Sequence, residues 1–155
     1  MSGISSGDGW AAGNMDDMGE GPGFRKVRQA LGVTAFGVNA VVVPPGYASG
    51  RHLHERQEEL YFVHRGTVEF TLGEDTVALR PGGFLRVDPA TVRSMRNPSE
   101  TEDAVFVAIG GAGGYVGRDG MLPERALEVS FAMLQLFVAL QLARRALRGE
   151  REETT

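Results

Sequence analysis

The sequence predicts an all-β domain, because short strand-like segments recur at even spacing with turn residues between them. The sequence becomes strand-like from Phe24, and from residue 34 onward runs rich in Val, Phe, Leu and Thr alternate with Gly, Pro, Asn and Asp. This pattern is typical of a β-sandwich or a β-barrel. The length of 155 residues suits one domain with a single core.

The predicted strands begin after residue 33 and end near residue 109. The first strand, Thr34–Val43, stops at the strong turn Pro44-Pro45-Gly46. The remaining predicted strands are Arg51–His54, Glu59–His64, Thr67–Leu72, Thr76–Leu79, Phe84–Val87, Val92–Arg96 and Ala104–Ile109. A glycine-rich stretch at 110–114 breaks the last strand, and Asp119-Gly120 predicts a turn.

The first 23 residues differ in composition from the strand-rich middle. They are rich in Gly, Asp, Ser and Met, which bury little apolar surface. We therefore expect a flexible arm, in which Ile4 and Trp10 are the residues able to anchor it.

A long helix is predicted near the C-terminus, from Pro123 to Arg148. Its apolar residues cover most of its sides, so we expect one face to cover the β domain and another to meet a second subunit in a homodimer. Its apolar stretch, 131–143, falls short of the roughly 20 residues of a membrane span. The predicted organisation is an arm at 1–23, a β domain at 24–116, a helix at 117–149 and a tail at 150–155.

Composition excludes several function classes. The chain has no cysteine, so it forms no disulfide, thiolate nucleophile or zinc–thiolate site. The net charge is −4 and no basic cluster occurs, which argues against a nucleic-acid partner. The N-terminus lacks a basic region followed by an apolar run, so we expect a cytoplasmic protein with no membrane association.

Two of the three histidines fall in one spaced pattern that carries metal-binding chemistry. It runs Gly46, His52, His54, Glu59, Gly66. His52 and His54 share strand parity, so their side chains point to one side. Glu59 opens the next predicted strand, from which its carboxylate can meet the two imidazoles. Two imidazoles and one carboxylate are ligands for Fe(II), Mn(II), Ni(II) or Zn(II).

This pattern resembles the first signature motif of the cupin superfamily, small β-barrel proteins with a metal site inside the barrel. Every fixed position is matched, and the six residues before Gly66 select Glu59 rather than Glu58. The resemblance implies an all-β, cupin-type jelly-roll β-barrel, here followed by the long C-terminal α-helix. It also implies that His52, His54 and Glu59 are metal ligands.

The second motif of the family is only partly present. Pro81-Gly82-Gly83 opens it, Pro89 follows and Asn97 closes it, but Arg93 stands where the family has its third histidine. Three roles remain open for Arg93: it points inward and binds an anionic substrate, it pairs with Glu59 in place of a metal, or its side chain leaves the barrel.

The sequence therefore predicts a cupin that uses a divalent metal to act on or bind a small, anionic organic molecule, as an oxygenase or isomerase would. Arg93 and Tyr61 are the candidate substrate-binding residues, since Tyr61 shares parity with Glu59. His64 has the opposite parity and is interpreted as structural. The alternatives are a non-catalytic binding or sensor cupin, with or without metal, and an oligomeric scaffold in which the C-terminal helix is the functional part.

Overall fold

The computed structural model of the protein describes residues 3–123. The strands are β1 (Ser5–Gly7), β2 (Trp10–Ala12), β3 (Gly23–Arg25), β4 (Gly37–Val43), β5 (Leu53–His54), β6 (Glu58–Arg65), β7 (Val68–Leu72), β8 (Asp75–Leu79), β9 (Phe84–Val87), β10 (Arg93–Arg96), β11 (Ala104–Gly111) and β12 (Gly120–Met121). A 3₁₀ helix spans Met15–Met18, and a short α-helix, α1, spans Val27–Leu31.

Two antiparallel sheets form the body of the fold. The larger has the strand order β3-β4-β11-β6-β9, and the smaller has the order β10-β7-β8. A β12-β5 pair lies beside the smaller sheet, because a single bridge between His52 and Arg93 links the segment of β5 to β10. Within residues 3–123 the two sheets are not joined into a closed ring, so the architecture described is a mostly-β sandwich and the predicted closed barrel is not confirmed.

The core lies between the sheets and follows from the alternation along the strands. On β6, Tyr61 and Val63 are buried whereas Leu60 and His64 face outward. The Tyr61 ring packs against Phe70 of the facing sheet, with 5.0 Å between ring centroids. Each such side chain contributes about 1.5–3 kcal/mol on burial, so this layer holds the two sheets together.

Two motif residues have structural roles that the fold explains. Gly66 adopts φ 70°, and a Cβ atom there would lie 2.9 Å from Cα of Ala104, so this turn admits only glycine. Asn97 is fully buried, and its amide donates hydrogen bonds to the carbonyl oxygens of Val43 and Glu102. These bonds fasten the loop after β10 to the neighbouring strand β4.

The predicted strands occur, with three differences. The first begins at Gly37 rather than Thr34, and α1 occupies part of the segment expected to be extended. Asp119-Gly120 is not a free turn, because Gly120–Met121 pairs with β5. Gly120–Met121 is a strand only because of this long-range pairing, and no pattern in the local sequence predicts it.

The structure describes the predicted N-terminal arm but not the predicted C-terminal helix. Residues Ser5–Gly7 and Trp10–Ala12 form a two-stranded hairpin, and Trp10 is exposed. The flexibility of the arm stays a prediction. The predicted C-terminal helix lies outside the described residues. No helix between residues 3 and 123 is both long enough and apolar enough to cross a membrane.

Candidate metal centre

The two motif histidines are fixed by backbone pairing at the edge of the sandwich. His52 exchanges two backbone hydrogen bonds with Arg93, of 2.9 and 2.8 Å, and the His54 amide donates to the carbonyl of Pro89 over 2.9 Å. The two imidazole rings lie next to each other on the same side of the segment, in an edge-to-face arrangement with 5.5 Å between their centroids. The predicted common direction of His52 and His54 is thus present in the structure.

Glu59 reaches the histidines from the neighbouring strand β6. Its Oε2 lies 3.3 Å from Nε2 of His54. Glu58 instead points outward and pairs with Arg86, with 2.6 Å between Oε2 and Nη1. The structure therefore brings His52, His54 and Glu59 together, and each offers one ligand atom within 4.8 Å of the others.

Two donors converge on the Glu59 carboxylate. Arg93 donates from Nη2 to Oε2 over 2.9 Å, and the hydroxyl of Tyr61 donates a short hydrogen bond to the same oxygen. Burial, followed by the charge of Glu59, raises the pKa of Tyr61 above its ordinary value, so the phenol keeps its proton and remains a donor. The carboxylate is thus held in one orientation.

Arg93 is entirely buried, and its guanidinium donates three hydrogen bonds to other groups of the protein. Besides Glu59, it donates to the carbonyl oxygens of Pro89 and Thr91 over 2.8 and 2.9 Å. Of the three roles left open by the sequence, the geometry matches pairing with Glu59, and the side chain does not leave the interior. Arg93 does not line the cavity described below, and its contact with a substrate stays a prediction.

His54 is held from its other ring nitrogen by Gln57. Nε2 of Gln57 lies 2.7 Å from Nδ1 of His54, and Oδ2 of Asp119 lies 3.6 Å from the same atom. Burial lowers the pKa of the His54 imidazole, and the Glu59 carboxylate opposes this shift without reversing it. The ring is therefore neutral near pH 7, which is the form that binds a metal.

Asp119 fastens the turn between the two ligand strands. Its side chain is 2% exposed, and Oδ2 accepts the backbone N–H groups of Gln57 and Arg56 over 2.8 and 3.1 Å. Burial alone would raise the pKa of Asp119, but the hydrogen bonds from the two amides, together with the electrostatic interactions with His54 and Arg56, lower it overall. The sequence suggested no role for Gln57 or Asp119, since Asp119 lies 65 residues beyond His54 and carries no motif.

The donor set fits a divalent metal ion. Adjacent ligand atoms held at about 2.1 Å from one ion lie about 3.0–3.4 Å apart, so the ligand atoms, which lie within 4.8 Å of one another, would have to close by up to about 2 Å to bind one ion. Two imidazoles and one carboxylate form a facial triad with open positions. His52, His54 and Glu59 could therefore hold a metal, with the Arg93 cation beside the carboxylate as the unfavourable feature.

A cavity of about 660 Å³ adjoins these three residues. Its walls are mainly apolar and include Phe24, Val41, Met95 and Phe106. His52, His54, Glu59 and Tyr61 all line it, together with polar groups from the segment at residues 115–120. This volume lies within the usual range for small-molecule sites.

Comparisons with known proteins agree with this architecture. The family model described as "Cupin domain" matches residues 39–110. No curated protein is significantly similar to the chain. A crystal structure of a cupin protein from Bacteroides fragilis is 22% identical with a TM-score of 0.55, and the match covers 68% of this chain and 92% of that one.

Two further crystal structures carry names that refer to sugar phosphate isomerases. One, a provisionally assigned isomerase from Acidithiobacillus ferrooxidans, is 29% identical with a TM-score of 0.52, and the match covers 56% of each chain. The other, from Silicibacter pomeroyi, is 24% identical with a TM-score of 0.53, covering 66% of this chain and 59% of that one. The present chain thus spans little more than half the length of these two proteins.

Proposed function

We propose that this chain, whose residues 39–110 match the cupin domain model, binds a divalent metal ion through His52, His54 and Glu59 and a small organic molecule in the adjoining cavity. The observation that carries this proposal is the convergence of the three ligand atoms at a wall of the cavity. A molecule in the cavity would reach any open position of the metal.

A divalent ion at this place supplies a Lewis acid that polarises an oxygen of the bound molecule. The residues of the chain supply the rest of the site. His52 and His54 present ring nitrogens, Arg93 and Tyr61 orient the Glu59 carboxylate, and the apolar walls exclude water from around the bound molecule. The name of the Acidithiobacillus ferrooxidans protein supports a sugar phosphate as the first ligand to test, with an isomerase as the first enzyme class.

The second candidate function is a non-catalytic binding cupin that works without a metal. One specific observation favours it: Arg93 occupies the position directly opposite His52 and neutralises Glu59 at 2.9 Å. An ion pair at this place stabilises the carboxylate in the absence of a metal, so the cavity would keep its shape in the metal-free protein.

Titration of purified protein with Fe(II), Mn(II), Ni(II) and Zn(II) separates the two functions. We expect His52→Ala and Glu59→Gln to weaken binding of the preferred ion by more than about 100-fold, beyond the effect of outer-shell changes. His64→Ala is the matched control, since His64 is exposed on the opposite side of β6. Circular dichroism shows whether each variant is folded.

The possible results of these titrations distinguish the metal-binding function from the metal-free alternative. Metal binding that His64→Ala reduces as much as His52→Ala does would remove the proposed ligand set. A folded wild-type protein that binds none of the four ions supports the metal-free alternative. Conversion of an aldose phosphate to its ketose, followed by NMR with and without metal, tests the isomerase class directly.

A further inference from the structure

We propose that Arg118 binds the anionic group of the molecule that occupies the cavity, and that this group is a carboxylate or a phosphate. The inference deepens the proposed function and rests on it, because the ligand in question is the one that also reaches the metal centre. It assigns the anion to a residue different from Arg93.

Arg118 is the one lysine or arginine that lines the cavity, as far as residues 3–123 are concerned. Its side chain is exposed, so it lies where the cavity opens to solvent. Within the same residues no hydrogen bond or ion pair joins its guanidinium to another group. A guanidinium in this position is available to a ligand and prefers planar, two-oxygen anions.

The acidic groups of the cavity are already compensated, whereas Arg118 is not. Glu59 faces Arg93 at 2.9 Å, and the Asp119 carboxylate accepts two backbone N–H groups. The uncompensated charge among the residues that line the cavity is therefore the positive charge of Arg118, which attracts the anionic group of a ligand.

The backbone of Arg118 is held in an unfavourable conformation. Its φ is +56°, and it is the one residue other than glycine with a positive φ among residues 3–123. A left-handed conformation at such a residue costs on the order of 1 kcal/mol or more and persists where the surroundings impose it, often at ligand sites.

Contacts on both sides impose this conformation. On the C-terminal side, the buried Asp119 carboxylate holds the Arg56–Gln57 turn, and the Asp119 carbonyl accepts the Glu55 amide over 3.2 Å. On the N-terminal side, the Arg28 guanidinium lies 3.8 Å from the centroid of the Tyr115 ring, which also lines the cavity. Arg118 is thus presented to the cavity by a segment that is fastened at both ends.

The ligand class follows from what the cavity combines. It offers a metal centre for an oxygen atom, a mainly apolar wall for a carbon skeleton, and one unpaired cation where it opens. A small organic anion with a hydroxyl or carbonyl oxygen satisfies all three. Carboxylates and phosphate monoesters share the required geometry, and the experiment below distinguishes them.

Matched pairs of charged and neutral probes test the assignment. Glucose 6-phosphate is compared with glucose, and benzoate with benzyl alcohol, by NMR titration of the full chain with and without the preferred metal. For at least one pair we expect the wild type to bind the anion about tenfold or more tightly than its neutral partner, and the pair that shows this identifies phosphate or carboxylate. We expect Arg118→Gln to abolish the preference and Arg118→Lys to keep part of it, since lysine retains the charge without the planar fork.

Arg80→Gln is the control, because Arg80 is exposed and does not line the cavity. An anion preference that survives in Arg118→Gln, or that is absent from the wild type in both pairs, overturns the assignment. Metal titration of Arg118→Gln distinguishes the hypothesis that Arg118 binds the anion from the hypothesis that the protein binds a metal. Normal metal binding without an anion preference refutes only the role of Arg118, whereas an Arg118-dependent preference in a protein that binds no metal refutes only the metal site.

Discussion

Arg93 donates a hydrogen bond from Nη2 to Oε2 of Glu59 over 2.9 Å, and its side chain is completely buried. The pair lies where the cupin superfamily places its third histidine ligand, directly across from His52. The candidate metal centre thus contains a cation of the protein itself beside the Glu59 carboxylate. Substitutions of Arg93 test what this pair contributes to stability and to metal affinity.

We expect Arg93→Met to destabilise the fold by about 3–5 kcal/mol, because it leaves the Glu59 carboxylate, whose side chain is 12% exposed, without its cation. The matched control is Arg96→Met on the same strand. Arg96 pairs with Glu69 at 2.9 Å but is 56% exposed, so its loss should cost at most about 1 kcal/mol. Urea unfolding measures the loss of unfolding free energy in each variant. Equal losses would show that the Arg93–Glu59 pair contributes no more to stability than the exposed Arg96–Glu69 pair.

Arg93→His replaces the counter-ion with the imidazole found in the family motif. We expect metal affinity to rise by about 10–100-fold, the scale of changes made next to a metal site. Calorimetric titration of wild type and variant with the preferred ion measures this. Unchanged affinity in a folded variant would mean that the side chain at position 93 does not reach the ion.

Gln57 orients the His54 ring, and a metal on Nε2 requires a proton on Nδ1 that the Gln57 amide oxygen can accept after rotation. We expect Gln57→Leu to lower metal affinity by about 10–100-fold and Gln57→Glu to preserve it, because a carboxylate is an equally good acceptor. NMR of the imidazole nitrogens reports which tautomer His54 adopts. Equal metal affinity of the Leu and Glu variants would contradict the role assigned to Gln57.

Asp119 should make the protein sensitive to acid. Its pKa is lowered in the folded state, so its contribution to stability is present above the unfolded-state pKa of about 3.9 and is lost as the pH falls through the folded-state value. We therefore expect Asp119→Asn to be less stable than the wild type at pH 7, with a difference that shrinks toward pH 3. Urea unfolding across this range measures it, with Asp75→Asn, an exposed aspartate of β8, as the control. A difference independent of pH would show that the charge of Asp119 is not responsible.

Features that depend on neighbouring residues could be predicted from the sequence. The strand segments follow from local alternation and from turn residues, and seven of the eight agree with the structure to within two residues at each end. The parity of His52 and His54, and the spacing that selects Glu59, are also local properties. They sufficed to identify the three residues whose ligand atoms converge.

Features that depend on contacts between distant segments were decided by the tertiary structure. The sequence left three roles open for Arg93, and the pairing of its strand with His52 places it beside Glu59, 34 residues away. Asp119 and Arg118 gain their positions from a two-residue strand that pairs with β5, and the arrangement of the strands in two separate sheets is likewise a matter of long-range pairing. Local propensity encodes which segments extend, but the partner of a buried charge depends on which strands pack together.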